Sequence, residues 1–594
     1  MTWTPLRPSS RPSRSPRPTR PLRSPSRRAF TGLLLAGLVA LIAACEGPSA
    51  GPADMVLRGG KVVTVDEAVP QGEAVAIRDG RILAVGSDAE IADYIGTETQ
   101  VMDLDGQLAV PGLIDSHAHF LSIGQSTLQL DLMDVSSWQE IVEEVARVVE
   151  DAEPGTLIRG RGWHQEKWEQ VPEPNVDGLP LHHDLSRVSP DNPVILTHAS
   201  GHATYANRRA MEMAGITAAT ADPPGGEIVR DAQGNPIGVF RETASGLLGP
   251  AYEGSVSPDP RQLALLADER VLSRGITSLH DAGVGYETVD MYREMVDAGE
   301  LGVRLYAMLS ASNQELEEGI EEYRLLGYGD HHLTVRSVKR LIDGALGAHG
   351  AWLLEPYEDL PGSVGLNTTP VDVIEETARI AAEHDFQLNI HAIGDRANRE
   401  VLDIYEATFQ AHPEKTDWRW RVEHAQHLHP TDIPRFGELG VVAAMQAIHC
   451  TSDAPYVLQR LGEERAEEGA YVWQKLMDSG AVICNGTDAP VERVDPIPVF
   501  HASVTRRLDD GTTFFPDQAM TRMEALKSYT INGAYAAFQE DVLGSLTPGK
   551  LADITVLSKD ILTVPEEEIP TTEVVYTIVG GEVKYSRDDV LPEG

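Results

Sequence analysis

Short apolar runs alternate with amphipathic segments along most of this chain, and the alternation predicts repeated strand–helix units. Segments such as PVDVIEETARIAAEHD, between two runs, carry apolar residues at helical spacing. Eight runs have the length of buried strands: GLIDSH, GITSLHD, VRLYAML, VRSVKRLI, FQLNIHA, WRVEHA, VVAAMQ and VICNGTD. Eight such units predict an α/β fold of the TIM-like (β/α)₈ barrel type, whose functional residues lie at the carboxyl ends of the strands.

The pattern at the two ends of the chain differs from that of the barrel. DMVLRGGKVVTVDEA and EAVAIRDGRILAVG alternate apolar and polar residues around RGG and RDG turns, which is the signal of β-hairpins. ADITVLSKD and EVVYTIVGGEVKYS repeat this alternation near the carboxyl end. We therefore predict a small β-sandwich built from residues 46–110 and 544–594, with the barrel at residues 111–543 between its two parts.

One interval is too long for a simple barrel. From His119 to Gly275 the chain runs 156 residues, whereas a whole βαβ unit takes roughly 30. We predict an inserted subdomain after the first barrel strand, at about 122–268, in which Trp163 and Trp168 pack. Because the insert leaves from the catalytic end of that strand, it is placed to act as a lid that shapes substrate choice.

The start of the chain has the composition of a targeting segment. Residues 1–28 contain eight arginines and no acid, and the apolar run FTGLLLAGLVALIAAC follows. This run is short for a membrane span but suits a signal peptide. LIAAC matches a lipobox, so we predict a signal peptide at 1–45, lipidation of Cys45, and an exported bacterial lipoprotein anchored in the membrane, periplasmic or on the outer face. Arg27 and Arg28 leave twin-arginine and Sec export both open.

Charge and cysteine content restrict the partners of the mature protein. Cleavage before Cys45 takes the formal net charge from −42 to −50, because the segment that is removed carries eight arginines and no acid. Such acidity argues against nucleic acid as a partner. Apart from Cys45 only Cys450 and Cys484 remain, too few for a disulfide framework, and we expect buried free thiols. Oligomerisation stays open.

Side chains that bind metals stand at or near the ends of the predicted strands. His117 and His119 are two residues apart, so both imidazoles leave the first strand on one side. Lys339, His391, His424 and Asp488 occupy later strands or their ends. An HxH pair alone also fits ordinary polar contacts, but the whole set favours a site for one or two divalent ions, zinc above all. A lysine fits such a set when carbon dioxide converts its amine to an anionic carbamate.

The motifs together resemble the amidohydrolase superfamily, most closely its amidohydrolase-3 branch of YtcJ-like metal-dependent hydrolases. They are DMVLRGGKVVTVD, VPGLIDSHAH, GITSLHDAG, VKRLIDGALG, IHAIGDRA, RVEHAQHLHP, NGTDAPV and GSLTPGKLADITVL, between about Asp54 and Lys584. The resemblance implies metal ligation by His117, His119, His391, His424 and Asp488, with carbamylated Lys339 as the bridging residue from the fourth strand. The chain departs from the branch at His349, where an arginine is common.

The resemblance and the ligand set together imply hydrolysis of a C–N bond in a small-molecule amide of the N-acyl or N-formyl type. Metal-activated hydroxide would attack the carbonyl, and Asp488 would take the water proton and pass it to the leaving nitrogen. A deaminase or isomerase on the same barrel remains an alternative, as does a binding lipoprotein without turnover. No GxSxG elbow stands in a persuasive strand–helix setting, so a serine mechanism is not supported.

Further residues are candidates for contacts with the substrate. His202, in SGHATYANRRA, resembles a position near the substrate in the branch, and His449 and Asp453 follow the seventh strand. Each fits a structural role as well. Asp343 follows Lys339 by four residues, so it either positions the lysine or caps a loop.

Overall fold

The structure, a computed structural model, describes residues 51–253 and 258–589. The predictions on residues 1–45, with lipidation of Cys45, lie outside the described residues. Within the described ranges, no helix combines the length and apolar character needed to cross a membrane.

Eight parallel strands form the central sheet, and the predicted TIM-like barrel is confirmed. In chain order they are Leu113–Ala118, Ile276–Val284, Arg304–Leu309, Leu333–Leu341, Gln387–Ala392, Arg421–His424, Val442–Met445 and Ile483–Asn485. Each pairs with the next in this order. The ring closes beside the last strand, where the Asp488 N–H donates to the His117 carbonyl at 2.7 Å and the His119 N–H donates to the Ala489 carbonyl at 2.8 Å. We number these barrel strands one to eight.

Helices cover the outside of the barrel because each buries an apolar stripe against the strands. Val371–Glu383, for example, buries Ile374, Ala378 and Ala381, which stand on one helical face. The other helices of this layer are Phe120–Ser126, Pro260–Leu272, Tyr286–Asp297, Asn313–Gly319, Asp395–Ala411, Ile433–Leu439, Ala447–Leu461, Glu463–Gly469, Trp473–Asp478, Pro496–Thr505, Arg522–Ser528 and Ile531–Ala536. The strand Leu325–Gly327 and the helix Tyr328–His331 precede barrel strand four.

Both ends of the described chain build a two-sheet unit, as predicted. One sheet has the order Arg81–Gly86, Ala74–Arg78, Met55–Arg58 and Gln100–Asp103, and the short helix Asp88–Ile91 follows its first-listed strand along the chain. The other has the order Glu582–Ser586, Val574–Val579, Ile554–Leu557, Leu108–Pro111, Lys61–Val63 and Gln71–Gly72. Leu57 and Val62 from the first part pack with Ile554 and Ile578 from the second, so one core joins them.

The insert is a separate layer of sheet and helices. Its sheet has the order Gly226–Arg230, Pro236–Glu242, Ala203–Ala206, Val194–His198, Ile158–Trp163 and Leu130–Asp131, with a small hairpin of Asn175–Val176 and Leu179–Pro180. Its helices are Trp138–Asp151, His183–Val188, Arg208–Met213 and Gly249–Tyr252. Trp138, Trp163 and Trp168 are buried together in its core, in line with the packing expected for the last two. Helices Phe120–Ser126 and Pro260–Leu272 pack on each other where the insert leaves and rejoins the barrel, and the predicted interval of about 122–268 includes parts of both.

Candidate metal centre

The six predicted ligands lie at the carboxyl end of the barrel, because each ends or closely follows a parallel strand. They are His117 and His119 at strand one, Lys339 on strand four, His391 on strand five, His424 at the end of strand six, and Asp488 after strand eight. All are buried apart from His119, whose side chain is 35% exposed.

Asp488 stands between two groups of imidazoles. Its Oδ1 is 3.6 Å from His117 Nε2 and 3.2 Å from His119 Nε2. Its Oδ2 is 4.0 Å from His424 Nδ1 and 3.9 Å from His449 Nε2. Each imidazole pair and the carboxylate place three donor atoms within 4.8 Å of one another. A tetrahedral ion with arms of about 2.1 Å separates its donors by about 3.4 Å. The distances of 3.2 and 3.6 Å in the group of His117 and His119 match this spacing, whereas those of 3.9 and 4.0 Å in the other group are wider.

The donor atoms of this site lack partners of their own. His117 Nε2, His449 Nε2 and Asp488 Oδ1 are all buried without a hydrogen bond from any described residue. A buried polar atom without a partner costs roughly 1–3 kcal/mol, and such atoms are few in folded proteins. All three belong to the two groups around Asp488, where a bound cation would give them a partner, and imidazole with carboxylate is the donor set that zinc accepts.

Asp488 is ionised in this setting. Burial alone would raise its pKa, but the contact with His119 and the imidazoles of His117 and His424 together hold the pKa well below the usual value of an aspartate. The carboxylate is therefore available both to bind a cation and to accept a proton.

Glu423, which was not among the site residues predicted from the sequence, orients His117. Its Oε2 contacts His117 Nδ1, and Arg421 holds both of its oxygens, with Nε 2.7 Å from Oε1 and Nη2 3.0 Å from Oε2. Burial would raise the pKa of Glu423, yet Arg421 and His117 lower it to about 2. A carboxylate on Nδ1 keeps the proton there and leaves Nε2 free for a metal. The signal in the sequence was two charged residues at alternate positions of a buried strand, which must pair inside the barrel.

Two glutamines contact the imidazoles of the second group. His424 Nδ1 is 2.7 Å from Gln446 Oε1, so it donates there and leaves Nε2 as the nitrogen for a metal. His449 Nδ1 is 3.0 Å from Gln426 Nε2. In this orientation the Gln426 amide N–H donates to Nδ1, so the proton of His449 is on Nε2, facing Asp488. His449 can bind a metal through Nε2 only if the Gln426 amide turns over and its oxygen accepts from Nδ1. His449, predicted to contact substrate, thus stands beside the metal ligands.

His391 and Lys339 flank the two groups without belonging to either. The His391 ring is 4.4 Å from that of His424 between centroids, and its Nε2 is buried without a hydrogen bond from a described residue. The Lys339 side chain packs beside Gly283, with its Cγ 3.7 Å from the place that a Cβ on this glycine would occupy. Burial lowers the pKa of the Lys339 amine, while Glu423 and Asp488 oppose that change.

Asp343 caps a loop, which was one of its two predicted roles. Its carboxylate accepts hydrogen bonds from the backbone N–H groups of Trp352, Ile393 and Gly394 at 2.8, 3.0 and 2.8 Å. Burial raises its pKa to about 7, against the effect of those three donors. These bonds tie the loop after strand four to the end of strand five, beside His391.

A cavity of about 50 Å³ lies against the imidazoles, and the insert forms part of its wall. His202, His449 and Asp453, the three predicted substrate contacts, all line it. Asp453 accepts hydrogen bonds from the hydroxyls of Tyr456 and Tyr471, so both of its oxygens already have partners. His202, by contrast, brings an imidazole from the insert to the barrel.

Known proteins resemble this chain over most of its length. Residues 100–585 match the model of the Amidohydrolase family (Amidohydro_3). The chain is 34% identical to Protein LONG AFTER FAR-RED 3 of Arabidopsis thaliana, over 91% of this chain and 93% of that protein. It is 30% identical to the putative amidohydrolase YtcJ of Bacillus subtilis, over 90% and 99%. It is 28% identical to the N-substituted formamide deformylase of Arthrobacter pascens, over 90% and 98%.

A solved structure shares the architecture as well. An uncharacterised metal-dependent hydrolase from Pyrococcus horikoshii superposes with a TM-score of 0.69 at 25% sequence identity, over 86% of this chain and 99% of that one. The similarity therefore extends over the barrel and the sheets around it.

Proposed function

Because the chain belongs to the amidohydrolase family, we propose that it hydrolyses the C–N bond of small-molecule amides, of the N-formyl type above other N-acyl types. The observation that carries the proposal is Asp488, an ionised carboxylate shared by two imidazole pairs. Its Oδ1 and one nitrogen of each pair, His117 Nε2 and His449 Nε2, are buried without a hydrogen bond from a described residue. Zinc is the ion that this nitrogen and oxygen donor set favours.

The side chains divide the work between holding an ion and moving a proton. A divalent ion at this site supplies a Lewis acid, which polarises a carbonyl and lowers the pKa of water. His117 and His119 would hold it together with Asp488, and Glu423 keeps His117 in the tautomer that can bind. Asp488 accepts a proton of the attacking water as the water oxygen bonds to the carbonyl carbon. It then donates that proton to the nitrogen as the C–N bond breaks, so that the products are a carboxylic acid and an amine.

Lys339 completes the site when its amine is carbamylated. A neutral amine attacks carbon dioxide, forms a nitrogen–carbon bond and loses a proton, so that a carbamate anion replaces a cation. Burial favours the neutral amine on which this reaction depends. Four histidines and one aspartate share poorly between two cations, and a carbamate at Lys339 would supply the central anion.

The preference for a formyl group over longer acyl groups is supported by a relative that matches the chain over most of its length. The Arthrobacter pascens relative, by its name, removes formyl groups from N-substituted formamides.

A turnover series tests the substrate class. The zinc-loaded protein should release formate from N-formyl derivatives of a primary amine, and the rate should fall as the acyl group lengthens to acetyl and butyryl. A chelator should abolish turnover and added zinc should restore it, because the proposed mechanism depends on an ion that lowers the pKa of the attacking water. Ammonia released from an aminated ring without a carboxylic acid would identify a deaminase. Tight zinc binding without any turnover would identify a binding protein.

We also propose that the mature protein begins at Cys45 and carries lipid there, as an exported and membrane-anchored lipoprotein. The short apolar run that ends in LIAAC supports this proposal. Detergent-phase partitioning should place the wild type in the detergent phase and Cys45→Ser in the aqueous phase. Equal partitioning of both into the aqueous phase would refute the anchor.

A further inference from the structure

We infer that Glu242 is a positioning residue that makes the insert part of the substrate-binding wall by orienting His202. The inference rests on the proposed amide hydrolysis and adds to it a residue that touches neither the candidate ligands nor the cavity. Its basis is a contact within the insert, an unusual backbone conformation, and a close fit against two glycines of the barrel.

The contact joins two residues that are far apart in the chain. His202 Nδ1 is 2.7 Å from Glu242 Oε2, and their side chains are only 15% and 5% exposed. The backbone N–H of Glu242 also donates to the carbonyl of His202 at 2.8 Å. The side-chain contact holds the imidazole by Nδ1 and leaves Nε2 as the nitrogen that can meet a ligand, while the backbone bond fixes the segment that carries His202.

The backbone at Glu242 adopts a conformation that side-chain-bearing residues rarely adopt. It ends the strand Pro236–Glu242 with φ +51° and ψ −129°. Such a conformation costs free energy and persists only where the surroundings impose it, and strained residues of this kind cluster at functional sites. The conformation turns the Glu242 side chain out of the insert sheet and towards the barrel.

The Glu242 side chain packs against two glycines of the barrel. A Cβ added at Gly344 or at Gly350 would overlap Glu242 Oε1, so a side chain at either position would displace the carboxylate from its place. Gly344 and Gly350 belong to the loop after strand four, which Asp343 ties to the end of strand five. The insert and the loop therefore fit together around the carboxylate, although Oε1 is buried without a hydrogen bond from a described residue.

His202 reaches the cavity as a result. Its ring lies 5.1 Å from that of His391 between centroids, at 45°, and lines the same cavity as His449. His202 belongs to neither group of candidate metal ligands. Glu242 holds the His202 ring at Nδ1, so the other side of the ring contacts the bound amide at the part of the cavity wall that the insert forms.

Four variants test the inference with the zinc-loaded protein and an N-formyl substrate. Glu242→Ala should lower kcat/KM by roughly 10- to 100-fold, since a displaced contact of about 1 Å can cost a hundredfold. The loss should lie mainly in KM, with zinc content unchanged. Glu242→Gln should keep most activity because its amide oxygen can still accept from Nδ1. His202→Ala should match Glu242→Ala, and the double alanine variant should lose no more than His202→Ala alone.

Glu227→Gln is the matched control, because Glu227 pairs with Arg241 on the same sheet and its side chain is 46% exposed. It should keep wild-type kinetics. If Glu242→Ala fails to fold in thermal unfolding, Glu242→Asp, whose side chain is too short to reach Nδ1, replaces it. Any of four results would overturn the inference. They are additive losses of kcat/KM in the double variant, loss of zinc, a loss confined to kcat, and equal losses in Glu242→Gln and Glu242→Ala. A wild type without turnover overturns the proposed function itself, whereas an active wild type with unaffected variants overturns only this inference.

Discussion

Asp488→Asn is expected to remove almost all turnover. The aspartate contacts both imidazole pairs through different oxygens, and a neutral amide supplies neither the charge nor two equivalent oxygens. The amide also cannot accept the proton of the attacking water. Loss of general acid–base action alone costs roughly 10²- to 10⁴-fold in rate, and weaker metal binding adds to this loss.

Zinc content and steady-state rates of the purified variant measure both effects. Asp495→Asn is the control from the same connection after strand eight, since Asp495 caps the helix Pro496–Thr505 and pairs with Arg274. It should keep wild-type turnover with some loss of thermal stability. An Asp488→Asn variant with both full zinc content and full turnover would exclude Asp488 from the mechanism.

Lys339→Ala is expected to fold, to lose metal, and to lose most of its activity. The substitution removes one buried strand-end side chain and with it the proposed carbamate, which would supply a shared anion to two ions. Without this anion, the imidazoles and one carboxylate should not retain two divalent ions. Short carboxylic acids added in solution should partly fill the vacated place and restore turnover, whereas chloride at equal ionic strength should not.

Lys339→Arg separates a carbamate from a simple cation, because arginine keeps the positive charge but does not form the carbamate. It should resemble Lys339→Ala in metal content and turnover. In the wild type, labelled carbon dioxide should yield a carbamate carbon signal by NMR. Full activity of Lys339→Ala with two ions bound and no added acid contradicts the bridging role. A single ion in fully active wild type favours a mononuclear site on His117, His119 and Asp488 with one of the later histidines.

The local pattern of the sequence was enough to predict the architecture. Strand and helix periods are properties of neighbouring residues, so eight buried runs and the amphipathic segments between them indicated the barrel. The hairpin patterns at the two ends indicated the sheets in which Leu57 and Ile554 now share a core. Parallel strands bring their carboxyl ends to one edge, which is why His117, His424 and Asp488 could be predicted to converge from sequence alone.

Which side chains actually touch was decided by the tertiary structure. Glu423 meets His117 because strands one and six face each other across the barrel, and no local period encodes that distance. His449 lies beside Asp488 because of the conformation that the chain adopts after strand seven.

Glu242 shows most clearly which contacts the local sequence pattern could not predict. Its partners are His202, in the same insert but 40 residues away, and two glycines on a barrel loop. Its positive φ is imposed by packing, not by its own residue type. Local patterns thus determined where the candidate ligands stand in the fold, whereas contacts across the barrel and between insert and barrel decided how those ligands are held and which residues face the substrate.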